Sequence, residues 1–176
     1  MDLESVIVNF ANGGVQPLIT LLMAVALIGG TIGTAVFLVR AKKTAQHSAD
    51  GSGMGRIIAG LLICACLICL RQLMNAGGNT LGYGEVTFGS VSYASSSTFG
   101  LGATTVNAIL TILRVVGAYM FYKGVKDLKN SQLEGHTELS SSGTIGKAWV
   151  KLVCGLLLMF NPEVLDSLQT SLGISW

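Results

Sequence analysis

The sequence predicts an all-α membrane protein. Four apolar helices form two tandem helical hairpins, with short amphipathic helices at the termini and a Gly/Ser-rich middle segment able to form a small β-hairpin. Three observations carry this expectation. Of 176 residues, 51% are hydrophobic and 11% charged, whereas a soluble domain of this size needs about a quarter of its residues charged to cover its surface. The apolar residues fall in long runs, with a mean hydropathy of +0.63, which is the pattern of membrane helices rather than of one buried core. The net charge is only +2, too small to indicate a nucleic-acid-binding domain, yet most of the Lys and Arg residues crowd around two connections. The resulting division is an N-terminal segment 1–14, a first hairpin 15–76 with a basic loop 40–56, the middle segment 77–104, a second hairpin 105–160 with a basic loop 123–147, and a tail 161–176.

At the N-terminus Asp2 and Glu4 stand where a secretory signal carries basic residues, so a cleavable leader is not evident. Leu3, Ile7 and Phe10 share a helical face before Asn12-Gly13-Gly14, which is expected to end a short interfacial helix. Val15 to Val39 contains no ionisable residue and ends at Arg40; at 1.5 Å per residue it would be about 37 Å long, enough to span with some tilt. The other three runs fall short of the roughly 20 apolar residues that a solitary span needs. Ile57 to Leu70 is brief, Leu101 to Tyr122 is interrupted by Arg114, and Ala148 to Phe160 contains Lys151. They are expected to lean on neighbouring helices of the same subunit or of its copies. In the tail, Asn161 is placed to cap a helix with Pro162 at its first position. Leu165, Leu168 and Leu172 share a face, and Trp176 suits an interfacial anchor.

Basic residues sort these segments into an orientation. Arg40, Lys42, Lys43 and Arg56 bracket the first connection, and Lys123, Lys126, Lys129, Lys147 and Lys151 bracket the third. Both basic loops are therefore expected in the cytoplasm, with the termini and the middle segment on the opposite face. The halves also resemble each other. Val15, Thr20, Leu22, Val25 and Gly33 recur 91 positions later as Val106, Thr111, Leu113, Val116 and Gly124, and the same offset aligns Gly55-Arg56 with Gly146-Lys147. That common spacing predicts a parallel internal repeat, the alternative being convergent membrane composition.

In the middle segment, Glu85 to Phe88 and Val91 to Tyr93 flank Gly89-Ser90, a pair suited to a tight hairpin turn. Such a hairpin is marginal alone, so the segment reads as a flexible external loop or an assembly surface. Signs of enzymatic chemistry are few. Gly51-Ser52-Gly53-Met54-Gly55 lacks the strand and the acidic residue of a dinucleotide cradle. His47 and His136 lack companion ligands for a metal. Cys64, Cys66, Cys69 and Cys154 lie in apolar runs, where thiols act as small hydrophobes. Lys123 and Asp127 form an i,i+4 pair on a solvated face together with Lys126. Arg71 is placed to snorkel to the interface. Arg114 requires a carboxylate, backbone carbonyls, a lipid phosphate or a wet cavity for a partner, unless its helix starts late enough for it to reach water.

The run Val106 to Tyr122, the sequence Lys123-Gly124-Val125-Lys126-Asp127-Leu128-Lys129, a polar loop, Gly143, Gly146, an apolar run and Asn161-Pro162 follow one another in the second half. Over 106–173 this arrangement resembles the TraQ-type small inner-membrane proteins of I-type plasmid conjugation and type IVB secretion. Each half also looks like the two-helix pilin of conjugative type IV secretion systems, although such pilins have a single hairpin and a long cleaved leader. The resemblance implies a non-enzymatic, pilin-like structural subunit, held in the bacterial inner membrane and assembled with copies of itself and bound phospholipid into an extracellular conjugative pilus for plasmid transfer. It further implies other secretion subunits as partners, and single-stranded DNA passing a lumen lined by the basic loops without sequence specificity. A stationary scaffold subunit of the translocation complex is the alternative, and a small transporter or channel, motivated by Arg114 and the repeated hairpins, ranks below it.

Overall fold

The computed structural model describes residues 3–47, 54–133 and 138–173. Trp176, His136 and the stretch Gly51-Ser52-Gly53 lie outside them. Among the described residues the chain is helical except around the segment 81–95, and no strand is present. Two helices are long and apolar enough to cross a membrane, or up to four if each of two bent helix pairs is counted as one span.

The chain runs as one helix from α1 (Leu3–Asn9) through a widened turn at Phe10–Gly14 into α2 (Val15–His47). Asn12-Gly13-Gly14 therefore widens the helix instead of ending it, as a π-type bulge does. Gly14 makes this possible, because a Cβ there would lie 2.8 Å from the Phe10 ring. At 33 residues α2 is about 50 Å long, well beyond a hydrocarbon core of about 30 Å. The excess is the stretch 40–47, expected as loop. Its Ala, Lys and Gln are strong helix formers, and the cations favour a helix C-terminus, so the helix continues.

Next come α3 (Met54–Ile68) and α4 (Leu70–Thr80), which meet at 90°. Beyond the extended segment, α5 (Ser96–Phe99) and a short 3₁₀ turn lead into α6 (Ala103–Leu133). The last two helices, α7 (Glu138–Met159) and α8 (Asn161–Leu172), are joined by a bend of 82°. Of the expected basic loop 123–147, residues 123–133 belong to the last turns of α6 and 138–147 open α7. The α7–α8 bend has a direct cause, since Pro162 near the start of α8 has no N–H for the preceding turn and its ring displaces the carbonyl behind it. The α3–α4 bend contains no proline. The two breaks fall at Cys69 and Phe160, 91 residues apart, the offset of the sequence repeat. Their bracketing bonds match as well. Cys69 N–H donates to Ala65 and Leu73 N–H to Cys69, while Phe160 N–H donates to Leu156 and Val164 N–H to Phe160.

Contacts divide the chain into two compact units. The first comprises Met1–Leu22, Met74–Tyr119 and Cys154–Trp176. Here α6 meets α7 at Gly117, where a Cβ would lie 2.7 Å from both the Gly155 carbonyl and the Met159 nitrogen. The core includes Val15, Ile19, Met74, Val86, Phe88, Leu110 and Phe160, and the Tyr83 ring packs on Phe160 at a centroid distance of 5.6 Å.

The second unit comprises Met23–Leu73 and Met120–Val153. Here α2 meets α3 at Gly30, where a Cβ would lie 3.0 Å from the Cys64 carbonyl and from the Ile68 nitrogen. Phe37 fills the place a side chain at Gly60 would need, 2.2 Å from its Cβ position. The positions touched on the returning helices, Cys64 and Ile68 in one case and Gly155 and Met159 in the other, are again 91 apart. Small residues at such crossings let helix backbones approach where no hydrophobic effect drives them together. Cys64, fully buried, serves as one of these small residues.

Candidate functional site

On α6, three polar side chains recur at i, i+4 and i+7: Asn107, Thr111 and Arg114, one stripe of the helix. All three face the extended segment 85–94. The Asn107 carbonyl oxygen accepts from Tyr93 N–H at 2.9 Å and Ala94 N–H at 2.7 Å, and its amide donates to the Ala94 carbonyl at 3.0 Å. Thr111 Oγ1 accepts from Val91 N–H at 3.0 Å. Arg114 Nη1 donates to the Thr87 carbonyl at 2.6 Å and to Thr87 Oγ1 at 3.3 Å. Other helices complete the set. Asn75 of α4 accepts from Val86 N–H at 3.1 Å, and Gln16 of α2 donates to the Phe88 carbonyl at 3.0 Å.

This ladder replaces the expected β-hairpin. An extended backbone in an apolar setting must satisfy its N–H and C=O groups. Here helix side chains bond the N–H groups of Val86, Val91, Tyr93 and Ala94 and the C=O groups of Thr87, Phe88 and Ala94, with Val86, Phe88, Val91 and Ala94 buried between, in place of cross-strand pairing. The sequence signal is three polar residues at helical spacing inside an apolar run.

Arg114 is 6% exposed. Of the partners open to it, backbone carbonyls are the ones it takes: besides Thr87, its Nε donates to the Met159 carbonyl at 3.0 Å. That carbonyl stands at the α7–α8 break, where helix bonding lapses, so the guanidinium ties the bend to the extended segment. A late helix start does not account for it, since α6 begins at Ala103, eleven residues earlier. Asn161 acts nearby, but not as a cap. Its amide donates to the Leu110 carbonyl at 2.8 Å, and the N-cap position belongs to Phe160.

The remaining cations concentrate in the second unit. From the sequence, that unit holds ten basic and four acidic residues, net +6, and the first unit one and five, net −4. Arg40, Lys42 and Lys43 lie exposed in the last turns of α2, Arg56 in the first turn of α3, and Arg71 in the first turn of α4. Lys123 and Lys126 are exposed on α6, and Lys147 is exposed on α7. Lys151 pairs with Asp127 across α7 and α6, so Asp127 finds its partner on another helix rather than at Lys123. Lys129 Nζ donates to the Gly29 carbonyl at 3.3 Å, and its chain passes over Gly33. Lys126 and Lys129 also line a cavity of about 290 Å³ whose other walls are Val25, Ile28, Gly29, Leu67 and Tyr122. The first unit therefore offers an extended segment held through its backbone, and the second a cationic surface suited to anions. Among the described residues no cluster of His, Cys, Asp or Glu is arranged to hold a metal ion. Comparison of the chain with protein-family models, curated proteins and solved structures returns no match.

Proposed function

We propose that this chain is a pilin-like structural subunit of a conjugative type IV secretion apparatus, seated in the bacterial inner membrane as two tandem hairpins and assembling with copies of itself. The observation that carries the reading is the exposure of α2. Leu21, Leu27, Ile28, Ile32, Leu38 and Val39 are each at least half exposed, so its apolar surface needs lipid or further copies. The clustering of Lys and Arg supports the orientation, with the basic loops toward the cytoplasm and the termini and middle segment outside. The basic residues and the cavity at Lys126 and Lys129 favour anionic phospholipid as a companion. After assembly the same cations are available to a lumen and to passing single-stranded DNA. Arg114 Nε and Nη1 donate to backbone carbonyls, which supports a structural role for this residue over a transport role.

Electron microscopy and mass spectrometry of filaments sheared from donor cells expressing the chain provide the test. The expected result is the chain as a main filament component. Filaments that lack it, with the chain retained in the membrane fraction, would replace this reading with the stationary scaffold.

A further inference from the structure

The extended segment 85–94 is held as a bound peptide is held. Each of its hydrogen-bonded backbone groups meets a helix side chain, and among the described residues no backbone-to-backbone bond ties 85–94 to the rest of the chain. Asn107 reads an N–H and a C=O of the same residue, Ala94, which is how a side chain grips an extended backbone with little regard to sequence. Gln16, Asn75, Thr111 and Arg114 complete the groove.

The ends of the segment are built as joints. Gly82, Gly84 and Gly100 have φ values of +81°, +83° and +56°, the left-handed region that glycine enters without strain. Among the described residues, the remaining residue with positive φ is Gly173, in the tail. Between Gly84 and Gly100 lie fifteen residues, a contour of about 50 Å, which as a loop tethered at both ends can reach about 25 Å. Leaving the groove breaks contacts that an identical segment can remake without loss, which is the condition for exchange of an element between copies.

We propose that the groove of α2, α4 and α6 accepts segment 85–94 from a second copy of this chain, so that exchange of the segment links one subunit to the next. The occupant is set by identity: whatever fits in cis fits in trans, atom for atom. This inference rests on the self-assembly reading above, and it supplies the connecting element that reading lacks.

The test uses two differently tagged full-length copies, co-expressed in membranes, with Cys64, Cys66, Cys69 and Cys154 replaced by Ala. One copy carries Gly89→Cys, at a position with open space where a Cβ would sit. The other carries Gln16→Cys, whose native side chain bonds to the adjacent Phe88. A short bis-maleimide is added before solubilisation, and oligomeric state is read in parallel by native electrophoresis. A third chain with both substitutions reports on cis occupancy. The expected result is a product joining the two tags, at twice the chain mass, in the oligomeric fraction. Oligomers in which only the doubly substituted chain cross-links, within itself, would overturn exchange and leave self-assembly standing. A chain that is monomeric in the membrane would overturn both. A doubly substituted chain that cross-links in neither way would show that the segment does not occupy the groove, and the proposal would fall.

Discussion

Arg114 offers the sharpest test of how the first unit is held together. Replacing it with Met keeps most of the apolar stem and removes every donor. The Met159 carbonyl, whose bond to Nε is buried at 3.0 Å, is then left without that partner, at a cost of about 1–3 kcal/mol. Thr87 is exposed, so water replaces much of the lost bond there and about 0.5–1 kcal/mol is added. The intramembrane cost of the cation itself largely cancels, because in a micelle the unfolded helix still carries the charge in an apolar medium. The sum is a loss of roughly 1.5–4 kcal/mol, or about 10- to 1,000-fold in the folding equilibrium. Arg114→Lys separates charge from geometry. It preserves the cation but lacks the fork that reaches two carbonyls, so it should fall between wild type and Arg114→Met. Titration with sodium dodecyl sulfate in non-ionic micelles, followed by circular dichroism, reads both variants. If both unfold at the wild-type detergent fraction, the guanidinium does not fasten the bend and the reasoning is wrong.

Two further outcomes are expected in the same assay. Gly117→Ala places a Cβ 2.7 Å from backbone atoms of α7 and should destabilise by about 1–3 kcal/mol through overpacking. Gly146→Ala, where a Cβ meets nothing within 4 Å, should stabilise α7 by about 0.5–1 kcal/mol; equal effects at the two sites would refute the close crossing. Asn107→Ala should accelerate hydrogen exchange at Tyr93 and Ala94 by at least about tenfold while helix content is unchanged. Asn107→Asp, which keeps the acceptor and loses only the donor to the Ala94 carbonyl, should protect those amides better than Asn107→Ala.

Much of the helical framework was legible because long apolar runs in a charge-poor chain admit few other structures. The break before Asn161-Pro162 could be read from local chemistry, whereas Val15 continues the helix begun in α1, and Leu70, the last residue of the second apolar run, opens α4 after the bend at Cys69. Helix ends are less legible where charge clusters, because a basic stretch reads equally as loop or as a solvated helix end. Lys42, Lys43, Lys126 and Lys129 lie on helices, since an exposed lysine costs a helix nothing and basic clustering reports only on solvation. The widened turn at Asn12-Gly13-Gly14 was hidden because the same three residues terminate helices elsewhere, and only the ring of Phe10 lying against Gly14 selects the bulge. The ladder was hidden for a different reason. Alternating apolar residues at 86–93 are equally compatible with a paired strand and a docked one, and the choice depends on Asn107, Thr111 and Arg114, which are distant in sequence from the backbone they satisfy.

The charge division has a consequence for any assembly. Each copy brings +6 on its second unit, and a lattice that gathers those units brings like charges together. Salt at physiological strength screens over about 8 Å, which leaves neighbouring subunits repelling at contact range. A stable array therefore requires stoichiometric counter-charge, and its growth should depend on the anionic lipid fraction of the membrane in which it starts. Under the proposed assembly the membrane is a reagent as well as a store, and depletion of anionic lipid should stop growth without lowering the amount of subunit present.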